Sequence, residues 1–410
     1  MNSNNLLDWE DHQVDHLFLL IGENPLPNYL AARTLLKEGG TAYLVFTKNT
    51  IFQKDRLQGE DGLHKLDIKC QPVDLSNNES DAQEIYDIIK KRVEESAKEG
   101  KVGLNYTGGT KAMAVHAYRA IQELKPDAIF SYLDPRRLKM WINQGNQKPV
   151  AYDVPLQISL EELFTLHGKY LLTNFPPRLK PYLQDLAVEI AKLHENQDSE
   201  KKWKEWCNKL TPIADLQILF PAVGNLLGEC LDLPTNKSLK DKAKAEGFSD
   251  FKEFHTWLNG TWLESYALKK IQMISDDIGV RKEDIQMSFN IVEDKNKMNT
   301  NNKAADAKFE FDVAFIKRYQ LFAISCTAKS KKADCKEKLF EASLRAKELG
   351  GDEARVALVC CYDAPQEIED ELARFGTRDP KVKVFGRKDL ANIGDEILAW
   401  VDGIEQEAKA

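Results

Sequence analysis

Residues 102–124 read VGLNYTGGTKAMAVHAYRAIQEL, and this stretch decides the fold. Val102 to Tyr106 is an apolar run of strand length. Thr107, Gly108, Gly109 and Thr110 form a glycine turn. From Lys111 to Leu124 the apolar residues recur with the period of an amphipathic helix. Strand, turn and helix make half a βαβ unit, and the chain before it has the same pattern. Residues 16–23 (HLFLLIGE) read as a buried strand ending at Gly22. A proline-bounded turn (ENPLPN) leads into a helix from Tyr29 to Lys37, which Gly39 and Gly40 end. Residues 41–47 (TAYLVFT) are a second strand, and Asp81 to Lys98 is a helix stopped by Gly100. Ile129 to Leu133 and Lys139 to Asn143 are further strands. The alternation predicts a parallel, Rossmann-like α/β sheet over roughly residues 10–165.

Downstream the pattern changes twice. Leu160, Leu163 and Leu166 stand at helical spacing before His167 and Gly168. Proline-bounded, Lys/Glu-rich stretches such as EKKWKEWCNKL follow, a mainly helical connector. From about residue 250 the order is helix (Thr256–Ser275), strand (Asp284–Ile291), a polar loop (Glu293–Asp306) and two strands of a hairpin (Lys308–Lys317, Tyr319–Thr327). A helix (Asp334–Leu349) and a strand (Ala354–Cys360) complete it. The expected division is 1–165, 166–245 and 246–410.

The chain has 410 residues, 42% of them hydrophobic and 30% charged, with a net charge of −8. That balance argues against a general polyanion binder, since Lys and Arg drive such binding. The average hides a basic segment. Residues 301–350 hold nine Lys and two Arg against three Asp and four Glu, a local +4. The best membrane candidate, Leu216 to Leu231, is broken by Pro221, Gly224, Asn225, Gly228 and Glu229, so no membrane association is expected. The polar, acidic stretch at residues 1–13 does not read as a secretory signal, and none is expected. Seven cysteines, odd in number and without a CxxC pair, point away from disulfides and zinc and toward a reducing cytoplasm.

Two constellations carry chemistry. The first is a pair of turns after strands: Gly22, Asn24 and Asn28, and Thr107, Gly108, Gly109, Thr110 and Lys111. Ligands of doubly wound sheets bind outside the carboxyl ends of the strands, and helix N-termini favour phosphate. Ordinary capped βα turns have the same composition. GxxxxGK[ST] and GxGxxG are both absent, which disfavours a Walker-type NTPase and a dinucleotide enzyme. The second constellation is a hairpin carrying Glu310 and Asp312 on one face of its first strand and Ser325 and Thr327 on its second. Lys338, Glu341 and Arg345 follow on one side of the next helix, and Glu264 lies upstream in GTWLESYALKKI. Converging carboxylates hold hard divalent cations, and a nearby lysine orients water or stabilises phosphate, the equipment of phosphodiester hydrolysis. Solvated strand and helix faces are the plainer reading of each part.

Gly22-Glu-Asn-Pro-Leu-Pro-Asn28, Tyr106-Thr-Gly-Gly-Thr-Lys111, Gly260-Thr-Trp-Leu-Glu264, and Phe311-Asp312 followed by Ile324-Ser-Cys326 occur in this order. Together they resemble the CRISPR ancillary nucleases that join an N-terminal CARF domain to a C-terminal PD-(D/E)XK, restriction-endonuclease-like α/β domain. The resemblance implies a homodimer that binds cyclic tetra-adenylate, a messenger of type III CRISPR systems, across its two-fold axis. It places Gly22, Asn24, Asn28, Thr47, Thr107, Gly108, Gly109, Thr110, Lys111 and Asp134 at that ligand. It implies a nuclease cutting DNA and/or RNA with Mn²⁺ or Mg²⁺. Asp312, Glu341 and Glu310 would be the metal ligands, with Glu264 supporting and Ser325, Thr327 and Lys338 assisting. One departure stands out. Relatives carry Glu-x-Lys or Ser-Cys-Lys on the second hairpin strand, where this chain has Ser325-Cys326-Thr327. Either the missing groups have moved to Lys338 and Glu341, with Lys329 a second lysine candidate, or the nuclease is inactive. In the second case the protein is a cyclic-oligoadenylate sensor or ring nuclease.

Overall fold

A computed structural model describes residues 9–135, 137–232, 238–301, 309–351, 354–373 and 381–409. Residues 302–308 lie outside the described residues, and with them the end of the expected polar loop and Lys308 of the expected strand.

The first sheet takes its strands from β1 (Val14–Leu20), β2 (Leu36–Phe46), β3 (Lys69–Asp74), β4 (Val102–Asn105), β5 (Ile129–Asp134), β6 (Lys139–Gln144) and β7 (Val150–Asp153). Its seven strands lie in the order β3-β2-β1-β4-β5-β6-β7. The first five are mutually parallel and the last two are antiparallel additions. Helices α1 (Leu26–Leu35), α2 (Ile51–Gln58), α3 (Ala82–Ser96) and α4 (Lys111–Leu124) connect the strands. β1 is a continuous apolar run because both of its faces are covered. Leu17, Leu19 and Ile21 enter the core under α1. Phe18 and Leu20 enter a separate core with Ile85 and Ile89 of α3 and Met113 and Ala117 of α4.

The structure departs from the expected elements in two ways. α1 ends at Leu35, and β2 runs through Gly39 and Gly40 instead of starting after them. A register break between Val14 and His16 absorbs the extra residues, and Gly39 takes the left-handed φ of 77° that this bulge needs. α2, β3 and β7 have no counterpart in the sequence reading. Leu57 is the buried residue of α2 and Val73 that of edge strand β3, so neither shows an apolar period.

The remainder builds a second, six-stranded sheet. In chain order come α5 (Leu160–Leu166), β8 (Tyr170–Leu171), α6 (Gln184–His194), α7 (Gln197–Lys209), α8 (Ile213–Leu219) and α9 (Pro221–Gly228). A small hairpin of β9 (Leu231–Asp232) and β10 (Ser238–Leu239), then α10 (Asp241–Ala245), α11 (Phe251–Thr256) and α12 (Trp262–Met273), precede the main strands. These are β11 (Gln286–Val292), β12 (Phe309–Lys317) and β13 (Gln320–Thr327), then α13 (Lys332–Gly350) and β14 (Arg355–Cys360). α14 (Gln366–Ala373), β15 (Val382–Phe385) and α15 (Ile393–Lys409) close the chain. The strand order is β15-β14-β13-β12-β11-β8. The expected helix Thr256–Ser275 is divided, because a π-helical turn, Trp257–Thr261, joins α11 to α12. Val313, Phe315, Phe322 and Ile324 of the hairpin face one core together with the helices of residues 184–245. Ala314, Ile316, Leu321 and Ala323 face the other, beneath α13.

α5 is the seam between the sheets. Phe164 meets Phe289 edge-on at 6.0 Å and stacks on Phe311 at 6.2 Å. Glu162 accepts from Tyr29 of α1 at 3.2 Å and pairs with Arg33. Ile158 N donates to Arg318 O at 2.9 Å, tying the seam to the hairpin turn. Among the described residues no helix is long and apolar enough to cross a membrane. Phe164→Ala should cost about 3–5 kcal/mol of stability, the cost of deleting a buried ring. A lowered urea midpoint is the measurement that checks this.

Candidate functional site

Strand order in the first sheet reverses between β1 and β4, which opens a crevice at their carboxyl ends. The two glycine turns meet there. A Cβ on Gly108 would lie 2.2 Å from Leu20 O, and one on Gly22 would lie 3.0 Å from Gly109 N. Gly109 has a φ of 72°, so this turn requires glycine for conformation as well as space. Asn28 is fully buried beside them. Its Nδ2 donates to Leu20 O at 2.9 Å, while its Oδ1 is a buried acceptor without a partner among the described residues. Thr107 Oγ1 accepts from Leu133 N at 2.8 Å, which locks the turn to β5. Thr110 caps α4 by accepting from Met113 N, and Lys111 stands exposed in the first helical turn. Thr47 follows β2 and Asp134 ends β5, so both lie along the same edge, farther from the crevice. Asn24 Oδ1 accepts from Leu26 N at 2.9 Å and also faces His167 Nε2 at 3.2 Å. The sequence reading passed over His167 as a helix end.

Burial pushes His167 down to about 4, opposed by the Leu163 carbonyl and reinforced by the cations Arg56 and Lys169. Burial does the same to His194, which the Ile190 carbonyl opposes. A histidine depressed on folding costs nothing above its unfolded pKa of about 6.5 and destabilises as pH falls from there toward 4. Each should remove on the order of 3 kcal/mol over that window. Thermal melts at about pH 7.5 and about pH 5 should show the loss, and the doubly substituted His167→Gln, His194→Gln protein should show less of it.

The second site lies where β12 and β13 part. Their ladder runs from Lys317–Gln320 up to Val313–Ile324. Beyond it the Asp312 carboxylate replaces a backbone acceptor, taking Cys326 N–H at 2.7 Å and Ser325 Oγ at 2.8 Å. Asp312 is 6% exposed. Ser288 of β11, between the residues paired with Val313 and Phe311, has a φ of 60°, a left-handed conformation rare for a non-glycine residue and typical of functional sites. Lys338 Nζ of α13 lies 3.2 Å from Asp312 Oδ2. Burial lowers the Lys338 pKa, but the charges of Asp312 and Glu264 outweigh it and the net shift is upward, so the ammonium persists at neutral pH. The Cys326 thiol is pushed far up by burial, then by Asp312 and Glu264, and stays protonated.

A cleft of about 600 Å³ opens beside this pair. Glu264 and the π-helical turn line one part of it, Thr327 at the end of β13 and Lys329 just past that strand another, and Lys338 and Glu341 a third. Lys338 and Glu341 also border a smaller hollow shared with Asp312, Ser325, Glu310 and Arg345. Asp312, Ser325, Lys338 and Glu341 are thus brought together, with Glu264 and Thr327 on the cleft side and exposed Glu310 on the other. Lys329 is exposed, and its Nζ approaches Asp334 at 3.9 Å. Lys204 of α7 also reaches the cleft and donates to Ala328 O at 3.3 Å. Nothing local in its sequence marks it, since the contact spans 124 residues. Among the described residues no three His, Cys, Asp or Glu side chains converge on an ion-sized point. The oxygen donors still suit a hard cation of the kind that binds through one or two carboxylates and takes its remaining ligands from water and substrate phosphate.

A ligand crevice in one sheet and an acid–lysine cleft in the other define a sensor joined to a hydrolytic effector. Residues 17–163 match the family model described as the Card1 CARF domain, and residues 251–403 match the one described as the Card1-like endonuclease domain. The chain belongs to the Card1-like family of CARF-domain endonucleases and is an endonuclease. A search of curated proteins gives no match. Among solved structures, the chain is similar to protein VC1899 from Vibrio cholerae, with 17% identity, 95% of this chain and 98% of that one covered, and a TM-score of 0.64. It is similar to Can2 from Sulfobacillus thermosulfidooxidans, solved with cyclic tetra-adenylate, with 16% identity, 94% and 99% coverage and a TM-score of 0.64. A third, a type III CRISPR defence DNA nuclease activated by cyclic oligoadenylate, shares 20% identity over 84% of this chain and 45% of that one, with a TM-score of 0.50.

Proposed function

We propose that this chain is a homodimeric, metal-dependent nuclease of type III CRISPR defence, switched on by cyclic tetra-adenylate and cutting DNA and/or RNA in the cytoplasm. The observation that carries it is the Asp312–Lys338 pair, a carboxylate fixed by two donors and held 3.2 Å from a persistent ammonium at the edge of a 600 Å³ cleft. On the sensor side, Asn28 Oδ1, without a partner among the described residues, offers an acceptor for an adenine amine or a ribose hydroxyl. Gly22, Gly108 and Gly109 let the two turns pack closely together at the crevice, and Lys111 at the N-terminus of α4 suits a phosphate. A cyclic tetranucleotide shares its two-fold symmetry with a C₂ dimer. The solved complex of Can2 with cyclic tetra-adenylate supports this assignment. Seven unpaired thiols accord with a reducing compartment.

In the effector, Asp312 and Glu341 would hold a Mn²⁺ or Mg²⁺ ion, with Glu310 and Glu264 at its flanks. The bound ion supplies Lewis acidity toward phosphate and a more acidic water. Ser325 and Cys326 N–H keep the Asp312 carboxylate in one orientation. Lys338 places its charge where negative charge grows on the scissile phosphate, and Thr327 offers a hydroxyl at the cleft end. The geometry favours Lys338 over Lys329, whose side chain points to Asp334 and solvent.

Plasmid and RNA substrates incubated with Mn²⁺ or Mg²⁺, with and without cyclic tetra-adenylate, test the reading. Cleavage should require both metal and activator. Asp312→Asn and Lys338→Met should each lose about 10²–10³-fold in rate, as when one transition-state stabiliser is removed, while Lys329→Met stays within about threefold of wild type. Wild-type rates in both Asp312→Asn and Glu341→Gln would refute the site. Activator binding without any cleavage would leave a sensor with an inactive nuclease domain.

A further inference from the structure

The seam between the sheets holds a contact whose donors and acceptors do not balance. His167 is 7% exposed at the end of α5. Its Nδ1 lies 2.8 Å from Leu163 O and its Nε2 lies 3.2 Å from Asn24 Oδ1. Both facing atoms are acceptors, and Asn24 Oδ1 is already bonded to Leu26 N–H. A neutral imidazole has one donor and one acceptor. With the proton on Nδ1 the Leu163 bond forms and the Nε2 lone pair faces Asn24 Oδ1. With the proton on Nε2 the conflict moves to Leu163. An imidazolium would satisfy both, but burial keeps the ring neutral near pH 7. Turning the Asn24 amide over would give His167 a donor and take the acceptor from Leu26 N–H.

The far side of His167 leads to the effector. Arg56 donates to His167 O at 3.1 Å. Two residues on, Lys169 is also 7% exposed. Its ammonium bridges Glu293, at 2.7 Å, and Glu348. Glu348 lies in the last turns of α13, the helix that carries Lys338 and Glu341. Phe164, one turn before His167, stacks on Phe311, the neighbour of Asp312.

We propose that His167 is a positioning residue that transmits the state of Asn24 to α13 through Lys169 and Glu348. The inference rests on the ligand-gated reading above and names the regulation of that site. A nucleotide that draws the Asn24 amide toward itself removes the conflict at Nε2. The turn at residues 167–169 is then free to resettle, and the Lys169–Glu348 bridge carries the change to the helix that bears Lys338 and Glu341. The ligand selects between two packings of this turn according to its difference in affinity for them.

The full-length protein and its His167→Leu and Glu348→Gln variants test the relay. Three readouts are needed: calorimetric binding of cyclic tetra-adenylate, cleavage rates with and without it, and hydrogen–deuterium exchange of residues 332–350 with and without it. Wild type should bind, be stimulated and change its exchange in α13. Both variants should still bind, while the ratio of activated to basal rate falls by about tenfold or more and the exchange response of α13 disappears. Glu348 has a 40% exposed side chain, so its variant should fold even where His167→Leu is impaired. Ratios within about twofold of wild type in the folded variants would overturn the relay. So would activator binding to wild type with unchanged exchange in α13. A fall in both rates at constant ratio assigns His167 a structural role and also overturns it. Wild type that does not bind cyclic tetra-adenylate would overturn the ligand reading, and the relay with it.

Discussion

The packing of Phe164 on Phe311, ring centroids 6.2 Å apart, is the contact on which the architecture turns. Each sheet has two apolar faces that must be kept from water. α5 closes the core beneath β1 and at the same time lies on the strand that bears Asp312. A strand that carries a buried carboxylate is thereby built against the helix that ends at the sensor crevice. The apolar core of α5, β1, β12 and α13 is continuous. Packed cores are bistable rather than continuously deformable, so a change at one end shifts discrete arrangements at the other.

Asp312 shows how the effector meets the cost of burying charge. A carboxylate out of water needs donors for its lone pairs and a counter-charge. Ser325, Cys326 N–H and Lys338 provide both. The separation of β12 and β13 beyond Val313 makes this possible, because it frees the Cys326 N–H from the ladder. The same separation leaves room for the cleft. The departure Ser325-Cys326-Thr327 therefore has a structural sense. The helix after the hairpin, and not its second strand, places a lysine against Asp312, and Lys338 and Glu341 both line the cleft.

Much of this was legible in the residue order. Runs such as Leu17 to Ile21 are apolar at every position because both sheet faces are covered, and Thr107 to Lys111 announces its turn through glycine. The carboxylate pair Glu310 and Asp312 followed from strand alternation, but their unequal exposure did not. Asp312 is buried by β13 and α13, while Glu310 stands at the open end of the hollow. α2 and β3 escaped notice because each buries one residue, too few to mark a period. Lys204 and His167 escaped notice for another reason, since their partners are distant in the chain.

The sequence by itself determined the two α/β units, the glycine turns after β1 and β4 and the chemical types gathered near the hairpin. All of these are local consequences of period, turn geometry and spacing. Tertiary structure alone decided which lysine meets Asp312, that the buried Asn28 Oδ1 has no partner among the described residues, and that His167 faces Asn24 while Lys169, two residues on, pairs with Glu348 of α13. Those outcomes depend on which surfaces pack together across more than a hundred residues. Packing is set by the sum of buried area and satisfied polar groups over the whole molecule, which no short stretch of sequence records.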